Sequence, residues 1–201
     1  MSTSSNLINN AVEQLSKFPG IGKKSALRMA LYLLKKSESE TLDLSAVLVK
    51  LRTEIKFCKK CYNLSDGDLC NVCTSPSKDE SIVCVVKDFQ DVLAIESTGQ
   101  YVGHFHVLGG LISPVDGVGP NDVRVPELIS RVSEGVIQEV IIALSATLEG
   151  DTTEYYIAKK MNELGVKVST LSKGISVGGE LEYADEMTLA RSIRNRTNLE
   201  A

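Results

Sequence analysis

The amino-acid sequence predicts a multi-part chain: a helical hairpin, a four-cysteine metal-binding segment, and an α/β domain with a mainly parallel sheet. Three observations predict this fold class. Apolar residues recur at helical spacing on both sides of a Pro-Gly-Ile-Gly turn. Two Cys-x-x-Cys pairs follow within one short segment. From Ser81 onward, short apolar runs alternate with helical patterns, which is typical of strands joined by helices.

The first part is a helical hairpin around the stretch FPGIGKKS. Its proline and glycines interrupt two helical patterns, and Gly20 and Gly22 let backbone N–H groups approach a ligand closely. Exposed N–H groups at the start of a helix bind anions, and Lys23, Lys24 and Arg28 add positive charge there. We therefore predict that the hairpin grips nucleic-acid phosphates without reading bases. The alternative is an ordinary helix–helix turn with solvated lysines.

The second part, FCKKCYNLSDGDLCNVC, contains Cys58, Cys61, Cys70 and Cys73. Paired Cys-x-x-Cys units suit tetrahedral zinc, because each short turn directs two thiolates at one centre. Four thiolates close the coordination shell, whereas catalytic zinc usually keeps one position open for water. The sequence therefore predicts structural zinc rather than a dithiol redox pair or free thiols. The fifth cysteine, Cys84, lies in the apolar run SIVCVV and is predicted to be a buried strand residue.

The third part is predicted to be an α/β domain whose parallel sheet is covered by helices on both faces. Its strands are expected in the runs SIVCVV, FHVLGG, EVIIAL and VKVSTL. Helices are expected near 91–98, 126–134 and 152–164. His104 and His106 would share one strand face, and without nearby acids or thiols we interpret them as structural residues.

Ligand sites in parallel sheets lie just beyond the carboxyl ends of the strands. In this chain those positions hold Lys87 and Asp88 after the first strand, and Glu149 and Asp151 in the stretch SATLEGD. The two carboxylates of SATLEGD are a plausible pair for Mg²⁺. No Gly-x-Ser-x-Gly elbow or other nucleophile motif occurs in the sequence.

Charge is distributed unevenly along a chain whose net charge is −4. Residues 1–57 hold nine Lys/Arg against five Asp/Glu, whereas residues 81–201 hold ten against seventeen. A basic N-terminal part suggests an anionic partner there, although a solvated helix face explains the charge equally well. The sequence lacks an apolar run of membrane-spanning length and its first residues lack a signal-peptide core, so we expect a cytoplasmic protein.

Four stretches in this order resemble the RecR family of bacterial recombination mediators: FPGIGKKSALRMA, CKKCYNLSDGDLCNVC, LEGDTTEYYIA and GISVGGELEYADEMTLARS. The resemblance implies a helix-hairpin-helix, a four-cysteine zinc finger, a domain similar to the Toprim fold of topoisomerases and primases, and a C-terminal assembly segment. It implies binding to single- and double-stranded DNA and assembly into a homo-oligomer, either a dimer or a tetrameric ring. It also implies a role with RecO, and in many bacteria RecF, in helping RecA replace single-strand-binding protein at DNA gaps.

The resemblance divides the chain into 1–56 for the helix-hairpin-helix, 57–80 for the zinc finger, 81–173 for the Toprim-like domain and 174–201 for an oligomerisation segment. The zinc finger is expected to join the DNA-gripping hairpin to the α/β domain and to fix their relative orientation.

One position departs from the Toprim pattern. Toprim enzymes carry a Glu after the first strand, and Lys87 occupies that position here, while Glu149 and Asp151 fit the later acidic pair. An ammonium group repels Mg²⁺ and does not ligate it. The sequence therefore favours a non-catalytic DNA-binding mediator over a Mg²⁺-dependent nuclease or primase-like enzyme. It assigns Glu149 and Asp151 to partner binding, with RecO as the expected partner.

Overall fold

The computed structural model describes residues 4–175 and 178–196. The chain divides into two compact units, Met1–Ile55 and Lys56–Ala201. In the part of the chain that the structure describes, no helix is both long and apolar enough to cross a membrane. Positions 176–177 and 197–201 of the predicted C-terminal segment lie outside the described residues.

In the described residues, the first unit consists of three helices, of which the first and the third begin at a serine N-cap. They are α1 (Asn6–Leu15), α2 (Lys23–Leu33) and α3 (Glu38–Glu54). Helices α1 and α2 pack on each other, and Ala26 and Ala30 of α2 are buried. The side chains of Ser37 and Glu40 form a capping box at the start of α3, which satisfies N–H groups that have no partner within the helix. The two helices predicted around the Pro-Gly-Ile-Gly turn are therefore confirmed.

The α/β domain in the second unit has the strands β3 (Asp79–Val86), β4 (Gly103–Val107), β5 (Glu139–Ala143) and β6 (Lys167–Thr170), and the helices α5 (Phe89–Glu96), α6 (Val125–Ser133) and α7 (Leu148–Glu163). The strands form one parallel sheet in the order β4-β3-β5-β6. Alternate residues of a strand face opposite sides of the sheet. Val83 and Val85 of β3 therefore enter one core, with Leu128 of α6, while Cys84 enters a second core with Val92 of α5. The parallel sheet with two covered faces is confirmed, as is the buried position of Cys84.

Two short segments flank this domain within the second unit. The cysteine segment comprises the antiparallel pair β1 (Lys56–Phe57) and β2 (Leu64–Ser65), followed by the one-turn helix α4 (Asn71–Thr74). The C-terminal residues form a 3₁₀ turn (Leu181–Tyr183) and helix α8 (Glu186–Arg194).

The start of α7 differs from the sequence-based expectation. The helix begins at Leu148, not at 152, because the Thr147 side chain accepts a hydrogen bond from the Gly150 N–H at 3.1 Å and caps the first turn. A glycine is required at position 150, since a Cβ there would collide with the Ser145 carbonyl oxygen. Glu149 and Asp151 therefore lie in the first helical turn, and the prediction that they occupy a strand-end loop is wrong.

Candidate nucleic-acid interface and metal centre

The turn between α1 and α2 leaves its backbone open. Gly20 has a φ of +76°, a conformation that favours glycine, and Gly22 is the extended N-cap of α2. A Cβ at either position would meet no atom within 4 Å, and no side chain caps the first turn of α2. The first N–H groups of a helix have no partner within the helix. They therefore remain available to an anion.

The cations predicted to bind DNA lie on the exposed surface of α2. Lys23 and Lys24 occupy its first turn, and Arg28 follows Lys24 by one turn on the same face. The face continues along the helix and forms one wall of a shallow groove of about 360 Å³. The groove is lined by Lys24, Leu27, Arg28, Leu31, Tyr32 and Lys35.

The four cysteines converge on one point. Their sulfur atoms all lie within 4.8 Å of one another, and all four residues are buried. The first pair is held in a tight turn, in which the Tyr62 N–H donates to the Cys58 carbonyl at 2.9 Å and Tyr62 adopts a φ of +63°. The second pair sits at α4, with Cys70 as its N-cap and Cys73 inside the helix.

This cluster has the chemistry of a zinc site. Burial opposes ionisation of Cys58, but hydrogen bonds from the backbone N–H groups of Cys70 and Cys61 lower its pKa to about 7. A hydrogen bond with the Cys73 thiol, together with burial, raises the pKa of Cys61. Four thiolates so close together repel one another, and a divalent cation at their centre removes that repulsion. The residues therefore fit a structural Zn²⁺ ion.

The cysteine segment packs directly on the α/β domain. The Val107 N–H at the end of β4 donates to the Cys61 carbonyl at 2.8 Å. The Arg124 guanidinium carbon lies 4.7 Å from the centre of the Phe57 ring and 4.9 Å from that of Tyr62. Such cation–π contacts attach the segment to the residue that precedes α6. No local sequence pattern indicated Arg124, because these contacts join distant parts of the chain.

The two histidines are buried in β4 next to this contact. The His106 Nε2 lies 2.7 Å from the Arg124 carbonyl, and its ring makes an edge contact with the Tyr62 ring at 5.5 Å. Burial lowers the pKa of His106 to about 4, so this imidazole is neutral at pH 7. Burial also lowers the pKa of His104. Both histidines pack inside the domain, which agrees with the structural role that the sequence predicted.

At the carboxyl end of β3, Lys87 is exposed and Asp88 serves a structural purpose. The Asp88 carboxylate caps α5 by accepting hydrogen bonds from the N–H groups of Gln90 and Asp91 at 2.9 and 3.4 Å. Lys87 and Glu149 line the same open cleft of about 540 Å³. The position after β3, where the resemblance led us to expect an acid, thus presents a cation to this cleft.

Glu149 and Asp151 are not brought together as a metal-binding pair. Side chains two positions apart on a helix point in different directions. Glu149 lines the cleft with Lys87, whereas Asp151 forms ion pairs with Lys173 at 3.2 Å and with Arg191 of α8 at 3.3 Å. Hydrogen bonding to Lys173, reinforced by Arg191, lowers the pKa of Asp151. Within residues 4–175 and 178–196, the four cysteines are the one cluster of three or more ligating side chains suited to a metal.

Family models match the chain in four consecutive parts. The model described as "RecR, helix-hairpin-helix" matches residues 8–52, and the RecR model of a zinc finger with four cysteines matches residues 55–75. The model described as "Toprim domain" matches residues 81–172, and "RecR, C-terminal" matches residues 174–197.

Curated relatives named "Recombination protein RecR" are similar over nearly the whole chain. The relative from Parabacteroides distasonis is 51% identical over 95% of this chain and 92% of its own. The relative from Amoebophilus asiaticus is 53% identical over 98% of each chain. The relative from Flavobacterium johnsoniae is 50% identical over all of this chain and 97% of its own.

The fold and the sites thus define a protein with a helix-hairpin-helix, a structural four-cysteine zinc site and a Toprim domain. The chain belongs to the RecR family of recombination proteins.

Proposed function

We propose that this protein is a non-catalytic DNA-binding mediator of recombinational DNA repair in the cytoplasm. The observation that carries this proposal is the match of RecR models and relatives along the whole chain, combined with an exposed basic hairpin. In this role the protein acts with RecO, and in some bacteria with RecF, so that RecA replaces single-strand-binding protein at gaps. The four-part division at 1–56, 57–80, 81–173 and 174–201 belongs to the same proposal.

The hairpin grips DNA through its phosphates. The open N–H groups behind Gly20 and Gly22 bind one phosphate, and the side chains of Lys23, Lys24 and Arg28 neutralise its neighbours. Phosphate contacts carry no sequence information, so the hairpin accepts DNA of any sequence. The same contacts are available to single and double strands.

The Toprim domain acts as a docking surface. Lys87 repels a divalent ion at the position where a Toprim enzyme needs an acid, and Asp151 is already engaged by Lys173 and Arg191. The side chain of Glu149 points elsewhere than that of Asp151, so the two do not share an ion. These three features of the described residues support a function without turnover.

Glu149 and Asp151 lie on the part of the chain that carries excess negative charge, and we assign them to the contact with RecO. Glu149 is half-buried in the open cleft, where a basic side chain of the partner could reach it. The Asp151 side chain is 43% exposed and holds the C-terminal segment, so its contribution includes placing that segment. Charge pairs at such a rim mainly set association rate and specificity.

Self-association completes the proposal. None of the residues of α3 is buried, and apolar side chains along it are open to solvent, with Leu42 59% and Leu51 60% exposed. An apolar helix surface of this kind is stabilised by contact with another protein surface. A homo-oligomer, either a dimer or a tetrameric ring, would supply that contact.

The Zn²⁺ ion, held by Cys58, Cys61, Cys70 and Cys73, keeps the cysteine segment folded against the α/β domain.

The test of DNA binding is charge reversal on α2. Lys24→Glu together with Arg28→Glu should abolish binding to labelled single-stranded and duplex oligonucleotides, because both side chains are exposed beside the open helix start. The matched control is Lys50→Glu with Arg52→Glu, a reversal of two exposed cations on α3. The two variants should share the wild-type melting temperature. Normal binding by the α2 variant would show that DNA is held elsewhere.

The absence of turnover is tested separately. Wild-type protein should leave labelled single-stranded, duplex and gapped DNA uncut in Mg²⁺ and in Mn²⁺. Cleavage that is lost in a Glu149→Gln variant would contradict the non-catalytic function.

A further inference from the structure

The face of α2 that carries the proposed phosphate contacts also carries an exposed aromatic ring. Tyr32 follows Arg28 by one helical turn and is 57% exposed. Tyr32 and Leu31 line the same groove as Lys24 and Arg28. The groove therefore combines cations with apolar side chains, and Tyr32 lies between Arg28 and Lys35.

The positions on this face follow the helix axis. At 1.5 Å per residue, Lys24 and Tyr32 lie about 12 Å apart along α2, with Arg28 between them, and Lys35 follows just past the end of the helix at Leu33. The ring thus lies within a row of cations. A strand whose phosphates follow this row passes over Tyr32.

A further cation lies beside the ring. The Lys36 Nζ lies 5.4 Å from the centre of the Tyr32 ring, and the same ammonium group is paired with Glu40 at 3.1 Å. A cation–π contact of this kind restricts the motion of the ring, and a restricted ring loses less conformational freedom when a ligand stacks on it.

Aromatic rings within a basic groove are the arrangement that binds unpaired bases. Every base has a π-face that stacks on an aromatic side chain, and the cations beside the ring track the backbone. In a duplex the bases are already paired and stacked, so a surface ring reaches them only after the pair is opened. An exposed ring in a row of phosphate-binding cations therefore favours single strands over duplexes.

We propose that Tyr32 stacks on a base of single-stranded DNA, and that Lys35 binds a phosphate of the same strand. This inference rests on the proposed DNA-binding function and adds to it a preference for single strands. The open glycine turn, Lys24 and Arg28 hold either form of DNA, whereas Tyr32 recognises the single-stranded form.

The first experiment compares Tyr32→Ala and Tyr32→Phe in the full-length protein, using oligothymidine and a duplex of the same length. Removal of one stacked ring should weaken binding to oligothymidine by about 5- to 150-fold. Duplex binding should stay unchanged, and Tyr32→Phe should retain the affinity for oligothymidine because it keeps the ring. The matched control is Tyr155→Ala, which removes a tyrosine of α7 that is 74% exposed.

The second experiment detects stacking directly. The chain contains no tryptophan, so Tyr32→Trp introduces a single tryptophan, whose fluorescence is excited separately from that of the tyrosines, at the proposed contact. Its fluorescence should be quenched by oligothymidine and left unchanged by the duplex. The matched Tyr155→Trp variant should respond to neither.

The outcomes separate this inference from the DNA-binding proposal. If Lys24→Glu with Arg28→Glu abolishes binding while Tyr32→Ala binds single strands normally, the DNA-binding function stands and the stacking inference is overturned. Equal losses for single strands and duplex would also overturn it, because the ring would then only support the cations. A changed solution mass of Tyr32→Ala would overturn it as well, since the ring would belong to a contact between copies. If the charge reversal leaves binding intact, the proposed hairpin interface itself fails.

Discussion

Neutralising Lys24 and Arg28 should change the salt dependence of DNA binding, not only its strength. Both side chains are exposed on α2, so Lys24→Gln with Arg28→Gln removes two positive charges without touching a buried residue. Each phosphate that a cation neutralises releases condensed counterions, which makes the affinity depend on salt. The number of lost contacts can therefore be read from the slope of log K against log salt concentration.

The expected slope follows from the number of exposed cations on the α2 face. Its exposed cations are Lys23, Lys24 and Arg28, and Lys35, just past the end of the helix, lines the same groove. Four phosphate contacts give a slope of about −3.6 for duplex DNA, and two contacts give about −1.8. A fourfold rise in salt should then weaken duplex binding about 150-fold for the wild type and about 12-fold for the variant.

Fluorescence anisotropy with a labelled duplex over a range of potassium chloride concentrations measures both slopes. Lys50→Gln with Arg52→Gln is the matched control, because it removes two exposed cations from a different helix, α3. Its slope should equal the wild-type slope. An unchanged slope in the Lys24 and Arg28 variant would refute the assignment of DNA to this face.

Three further predictions concern the second unit. Removal of zinc by chelation, or Cys58→Ser, should lower the melting temperature and release the cysteine segment, because its strands are only two residues long and the ion supplies their stability. Acid should destabilise the fold through His106: its pKa is about 4 when folded and about 6.5 when unfolded, so the unfolded state binds the extra proton. Stability should therefore fall by about 3 kcal/mol in total as the pH drops from about 6.5 to about 4, measured by urea unfolding. Glu149→Lys should weaken RecO binding in a pull-down assay and leave DNA binding intact, whereas Asp151→Asn should loosen the C-terminal segment because it loses its pairs with Lys173 and Arg191.

Each of these expectations has a contradicting result. Unchanged melting after confirmed metal loss would show that the cysteine segment is stable without zinc. If the stability of a His106→Asn variant depends on pH as that of the wild type does, His106 is not the cause of the destabilisation by acid. If the Glu149→Lys variant binds RecO as strongly as the wild-type protein does, the cleft is excluded as the partner surface.

Local patterns in the sequence predicted most of the fold. The two Cys-x-x-Cys pairs, the alternation of apolar runs with helical patterns, and the Pro-Gly-Ile-Gly turn each act over a few residues, and each appears in the structure. The sequence also contains a local signal for the start of α7. Thr147 followed by two acidic residues is an N-cap pattern, and giving it more weight would have placed Glu149 and Asp151 on the helix.

Contacts between distant parts of the chain could not be predicted in this way. Arg124 reaches two rings of the cysteine segment, and Asp151 pairs with Lys173 and Arg191, yet no local sequence pattern indicates which residues these side chains contact. The role proposed for Tyr32 was only partly predictable from the sequence. It shares the helical spacing of Lys24 and Arg28, but its exposure was known only once the packing of α2 was seen.

The most direct test of the mediator function is RecA assembly on single-stranded DNA coated with single-strand-binding protein, with RecO present. The wild-type protein should accelerate RecA filament formation in this assay. The Lys24→Glu, Arg28→Glu variant should fold normally but should not accelerate filament formation, because we expect it to have lost DNA binding. Equal filament formation with the wild type, the variant and no added protein would contradict the proposed function.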